Sequence, residues 1–172
     1  SSMSVQAAIA PTSHAQAAFT TWIARSGAMY ASCAANSRRA YATRAAGTMA
    51  FGSSADKASM MAARATFDEF RSGLQRHIAW EEDILFPVFE SYTGMRHAGP
   101  TAVMRAEHRQ IEHCLDVIGK GLHEGDGATD DDDARLLSIL ESHNFKEEQV
   151  LYPAIDHQVT TGERDEVFDR MA

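Results

Sequence analysis

The chain has 172 residues and a net charge of −8, enough length to bury a core without disulfides or structural zinc. That charge repels a phosphate backbone and argues against a nucleic-acid partner. The two cysteines, Cys33 and Cys114, are too few for a disulfide framework and fit a reducing, cytoplasmic setting. No apolar run approaches the roughly 20 residues that cross a bilayer, so no membrane role is expected.

Residues 1–55 contain no Asp, Glu or Leu and carry Arg25, Arg38, Arg39 and Arg44 among many Ala, Ser and Thr. Three readings of this segment stay open. It is an Ala-rich first helix built on Phe19, Trp22, Ile23, Met29 and Tyr30. Alternatively it is a targeting or unstructured arm, which acid-poor, Arg-rich composition also describes. Or it is a stretch foreign to the natural reading frame, which Ser1-Ser2 ahead of Met3 would suit.

From Ser53 onward the periodicity is helical. Met60, Phe67, Phe70, Leu74, His77, Ile78, Glu81, Leu85 and Val88 follow the spacing of one helix face, and the pattern ends near Gly94. A second helix is predicted over 101–122, with Met104, His108, Ile111, Leu115 and Ile118 on one side and Gly119 and Gly121 weakening its end. A loop at Gly125-Asp126-Gly127 runs into the acids 130–133, which suit a helix N-terminus. Leu136, Leu140, His143, Glu147 and Leu151 mark a further long helix that closes near His157. Residues 159–172 form a tail with at most a short helical turn. No alternating β pattern occurs, so the expected architecture is all-α, an up-and-down four-helix bundle with an atypical N-terminal segment. The division is 1–55, then metal-binding helices over 56–158, then the tail.

An internal repeat carries the chemistry. His77-Ile-Ala-Trp-Glu81-Glu-Asp-Ile-Leu-Phe-Pro87 matches His143-Asn-Phe-Lys-Glu147-Glu-Gln-Val-Leu-Tyr-Pro153 at His, both Glu, Leu and Pro. A histidine and a glutamate four residues apart share a helix face and can reach one cation or two adjacent ones. One copy could be a surface ion pair. Two copies on stripes of core residues point inward, where unpaired polar groups are costly and a metal supplies the partner. His108 lies on the apolar stripe of the intervening helix with Glu112 one turn later. Its bland alternative is a core histidine bonded to a neighbouring acid. His97, His113, His123 and His157 fall off these stripes and are read as solvated.

Imidazoles and carboxylates without cysteine suit iron or manganese better than a thiolate zinc site. Carboxylates and histidines projecting from bundle helices describe a dinuclear centre bridged by Glu81 and Glu147. Without metal, these buried acids are expected to take up protons and titrate high.

The two HxxxE repeats with their trailing Leu-Phe-Pro and Leu-Tyr-Pro, together with Glu107-His108-Arg109, resemble the hemerythrin-like, HHE cation-binding family from about Phe67 to Asp156. The resemblance implies an up-and-down four-helix bundle with a non-haem di-iron site. Members bind oxygen, or serve in oxygen, iron or nitric-oxide sensing and redox protection. Carried over by motif, His77, Glu81, His108, His143 and Glu147 are metal ligands. The oxygen carriers have a second histidine where this chain has Glu112, so that ligand becomes a carboxylate or is lost, which argues against reversible oxygen carriage. The family also places a histidine in the first helix, and only His14 is available, with Tyr30 or water as alternatives. A di-iron binding or sensing protein, a di-iron oxidoreductase turning over peroxide, oxygen or nitric oxide, and a bundle with a degenerate site all remain open. The oxidoreductase needs a proton donor, for which Tyr30, Tyr152 and Cys114 are candidates.

Overall fold

The structure is a computed structural model that describes residues 54–124 and 130–171. Among the described residues every regular element is helical, so the chain is all-α as its periodicity requires. Helix α1 (Ser54–Trp80), a π-helical turn (Glu81–Leu85) and α2 (Phe86–Thr93) form one continuous rod. Gly94 ends it in the left-handed conformation at φ +70°, donating its N–H to the Glu90 carbonyl at 2.8 Å, a role that glycine fills without strain. Helix α3 (Pro100–Glu124) follows. Helix α4 (Asp130–Lys146), a second π-helical turn (Glu147–Leu151) and α5 (Tyr152–Gln158) make the next rod, and α6 (Thr161–Met171) closes the described chain.

The rods alternate in direction. The Arg64 guanidinium on α1 donates to the Leu122 carbonyl near the end of α3 at 2.7 Å, whereas Arg105 near the start of α3 pairs with Glu90 of α2. These contacts run α1–α2 antiparallel to α3. Gly119 lets the rods approach closely, since a Cβ there would lie 3.2 Å from the Phe67 ring. Its place in the helix therefore has a packing reason besides the weakened helix end that propensity reads.

Two apolar clusters form the core. One holds Phe67, Phe70, Leu74, Ile78, Ile111, Leu115, Ile118, Leu122, Leu136 and Leu140. The other holds Leu85, Phe86, Phe89, Met104, Leu151, Ile155, Val167 and Met171. Each fully buried side chain of this kind contributes roughly 1.5–3 kcal/mol. The rods are held on both sides of the gap between the clusters, and the inward polar residues occupy that gap.

Residues 159–171 hold more structure than a short turn. Thr160 and Glu163 form a reciprocal capping box: the Thr160 N–H donates to Glu163 Oε2 at 2.8 Å and the Glu163 N–H donates to Thr160 Oγ1 at 3.3 Å. That cap starts an 11-residue helix whose Val167 and Met171 join the second cluster. The motif Thr160-x-x-Glu163 is legible in the sequence. The Ala-rich first helix expected within 1–55, with His14 and Tyr30, lies outside the described residues.

Candidate metal centre

Both copies of the repeat break α-helical geometry at the same point. The Phe86 N–H bonds the Glu81 carbonyl and the Tyr152 N–H bonds the Glu147 carbonyl, five residues back instead of four. Pro87 and Pro153 come next in each copy. A proline has no N–H and its ring crowds the carbonyl four residues earlier, here Asp83 and Gln149, so a widened turn relieves both problems. Each widened turn begins at a glutamate of the repeat, which ties the local backbone to the placement of Glu81 and Glu147.

His77, Glu81, His108, His143 and Glu147 meet between the two apolar clusters, each 2% exposed or less. His108 Nε2 and His143 Nε2 are 3.2 Å apart. Glu81 Oε2 lies 3.2 Å from His108 Nε2, and Glu147 Oε1 lies 2.7 Å from His143 Nε2. Donor atoms of these four residues all fall within 4.8 Å of one another. His77 reaches the same two carboxylate oxygens from elsewhere, its Nε2 being 3.5 Å from Glu81 Oε2 and 3.7 Å from Glu147 Oε1.

Carboxylates hold the outer nitrogens of two of the rings. His108 Nδ1 is 2.7 Å from Glu82 Oε1, and His143 Nδ1 is 3.0 Å from Glu107 Oε2. A ring that gives its Nδ1–H to a carboxylate presents Nε2 inward as a lone pair, the arrangement that orients an imidazole toward a metal. Phe86 stacks on His108 with ring centroids 5.7 Å apart. Tyr152, the counterpart of Phe86 in the repeat, instead donates its hydroxyl to Glu81 Oε1 at 2.7 Å. Burial pushes the Tyr152 phenol up, and Glu81 and Glu147 add to the shift.

The electrostatics correct one expectation. Burial works to raise the Glu147 carboxyl, but the imidazoles of His143 and His77 beside it hold it well below the usual carboxylate range. Burial works to lower His143, but Glu147, then Glu107, carry it up to about 9. His77 is raised against its burial by Glu81 and Glu147. In the metal-free cluster His143 and His77 therefore hold protons in preference to Glu147, because that acid faces histidines instead of apolar wall. Glu81 Oε2 and both oxygens of Glu147 are buried yet receive no aligned hydrogen bond. Such groups are costly unless a cation compensates them, so the donor set and its unsatisfied oxygens fit a metal ion.

Glu112 does not join this group. It is exposed on α3, because one turn beyond His108 the inward stripe is carried by Ile111 and Leu115. His97, His113, His123 and His157 are all exposed. Cys114 is buried in the first apolar cluster, and of the proton-donor candidates Tyr152 alone, among the described residues, touches a site carboxylate. The supporting roles of Glu82 and Glu107 were not read from the sequence. Each adjoins a motif residue, but their partners lie 26 and 36 positions away, and that pairing requires the register between rods.

The Hemerythrin HHE cation binding domain profile matches residues 37–155, well over half of the 172. The chain belongs to the hemerythrin HHE cation-binding family. Among curated relatives, the iron-sulfur cluster repair protein YtfE of Edwardsiella ictaluri (strain 93-146) is 47% identical over 51 residues, covering 30% of this chain and 23% of the relative. YtfE of Enterobacter sp. (strain 638) is 32% identical over 112 residues, covering 58% of this chain and 50% of the relative. The chain thus spans half or less of the length of these relatives. No solved structure gives a significant match. As a hemerythrin HHE domain the chain is a cation-binding helical bundle, and its buried His and Glu cluster lies within the matched residues. Among the described residues no helix is long and apolar enough to cross a membrane.

Proposed function

We propose that the buried layer is a non-haem di-iron centre bridged by Glu81 and Glu147. His108 and His143 would hold one ion and His77 the other. The observation that carries this reading is the sharing of single oxygens: Glu81 Oε2 contacts both His77 and His108, and Glu147 Oε1 contacts both His77 and His143. Two carboxylates set between unlike histidine groups are the donor pattern of a bridged pair of ions. Further donors on the His77 side would come from the N-terminal segment, where His14 is the one imidazole, or from solvent.

Bound iron would supply one-electron redox change and a position for dioxygen or nitric oxide. The protein's own groups do the rest. Glu82 and Glu107 fix the tautomers of His108 and His143, and Tyr152 anchors Glu81 by a hydrogen bond. The apolar clusters keep water from the carboxylates, which strengthens their attraction for a cation. Beside Tyr152, a cavity of about 50 Å³ is lined by Leu85, Ile155, Val167 and Met171, with Asp156 and Arg164 also on its wall, and matches the size of a small ligand.

The biological role that fits is cytoplasmic iron handling under redox stress, with repair of iron–sulfur clusters as the specific form that the YtfE relatives' names bring to it. A redox enzyme acting on oxygen, peroxide or nitric oxide is the second reading. The hydrogen bond from Tyr152 to Glu81 favours it by placing a phenolic proton against a ligand.

Anaerobic loading with Fe(II), followed by elemental analysis, should give about two irons per chain. The absorption spectrum should change on admission of air. Less than half an equivalent of iron in a folded protein overturns the di-iron centre. Loaded protein that restores no activity to an oxidatively damaged iron–sulfur enzyme overturns the repair role and leaves the metal assignment standing.

A further inference from the structure

We infer that Lys146 is a positioning residue that makes His143 the weaker of the two paired imidazole donors, and so sets how tightly the His108–His143 side of the site holds its metal.

His108 and His143 are alike at their inner nitrogens and unlike behind them. His108 gives its Nδ1 to Glu82 at 2.7 Å, and among the described residues no cation lies within ion-pair distance of Glu82. His143 gives its Nδ1 to Glu107 at the longer distance of 3.0 Å. The other oxygen of Glu107 accepts from the Lys146 ammonium, which is also held by Ser142 Oγ at 2.9 Å. Glu148, the counterpart of Glu82, is exposed. The cation is thus placed on one imidazole's carboxylate and withheld from the other's.

A carboxylate behind a ligating imidazole raises its basicity by drawing on the Nδ1 proton. An ammonium on that same carboxylate withdraws the negative charge and weakens the pull. Glu107 serves two donors, so His143 receives only part of its charge. Glu82 serves one. His108 should then be the firm donor and His143 the donor that a competing ligand or chelator displaces first.

This rests on the proposed metal site, so the probe is Co(II) alone, whose absorption bands report the donors directly. Dissociation constants would be measured by chelator competition for the full chain and its variants, with melting of each metal-free variant as the folding control. Glu82→Gln should weaken binding about 10–100-fold, the usual effect of removing such a carboxylate, and Glu107→Gln should weaken it less. Lys146→Met should tighten binding and shift the Co(II) bands, while Lys146→Arg should reproduce the parent protein. In the Lys146→Met background, Glu107→Gln should cost as much as Glu82→Gln, a coupling that a double-mutant cycle isolates.

Weaker binding in a folded Lys146→Met variant would mean that the lysine merely holds Glu107 in place, and would overturn the inference. Equal costs for Glu82→Gln and Glu107→Gln in the parent would overturn it too. Absence of Co(II) uptake by the parent protein would instead overturn the metal site itself, and this inference with it.

Discussion

Replacing Tyr152 with phenylalanine removes one oxygen and little else. The ring would keep its place against the apolar cluster that contains Leu85 and Ile155, and the repeat already carries phenylalanine at the equivalent position, Phe86. What disappears is the hydroxyl that donates to Glu81 Oε1 at 2.7 Å. Glu81 is fully buried and its other oxygen has no aligned donor, so the loss falls on a carboxylate with little to replace it. A hydrogen bond to a charged group is worth about 1.5–3 kcal/mol, and a stranded buried acceptor adds to the cost. For the metal-free protein we expect a loss of about 2–3 kcal/mol in urea unfolding. At roughly 2–4 °C per kcal/mol for a chain of this size, the melting temperature should fall by about 5–10 °C. With metal bound, Glu81 has a cation as partner and the deficit should shrink. Equal deficits in the two states would refute the argument that the phenol and the metal compensate the same carboxylate. No deficit in the metal-free state would refute the claim that Glu81 depends on the phenol.

Other outcomes follow from the same geometry. His143→Ala should remove far more metal than His157→Ala, and His108→Ala more than His113→Ala, while Glu112→Gln should leave elemental content unchanged because that side chain is exposed. The metal-free protein should lose stability as pH rises. His143, carried to about 9 when folded from 6.5, contributes fully below pH 6.5 and loses that contribution through pH 9. A denaturation series across that window in His143→Gln should show a shallower slope, the part contributed by His77 remaining, and Co(II) affinity of the parent should climb over the same range as the proton becomes easier to displace. Gly119→Ala gains about 1 kcal/mol of helix propensity, but its Cβ would sit 3.2 Å from the buried Phe67 ring. Overpacking at about 1–3 kcal/mol should win, and a variant that melts higher than the parent would show that the α1–α3 contact yields.

Much of the site was legible because helical periodicity is a one-dimensional signal. His77 and Glu81, His143 and Glu147, and His108 share stripes with Leu74, Leu85, Ile111, Leu140 and Leu151, so their burial followed from spacing alone. The repetition of His, Glu, Glu, Leu and Pro made ligation a better reading than a surface ion pair. The same logic failed at Glu112. Its spacing from His108 allowed an inward position, but a helix face spans about 100° and Ile111 and Leu115 already occupied it.

What the tertiary structure decided were relations between rods. Glu82 faces His108 and Glu107 faces His143 only once the antiparallel register of α3 against its neighbours is set. No local pattern encodes a partner 26 or 36 residues distant. The protonation of the metal-free cluster was misjudged for the same reason. Burial of an acid in isolation predicts a raised carboxyl, but Glu147 meets imidazoles from two different rods, which reverses the sign. The π-helical turns lie between these cases. Pro87 and Pro153 announce a local defect in the chain, but the packing of the rods decides that each helix answers by widening a turn at its glutamate instead of stopping.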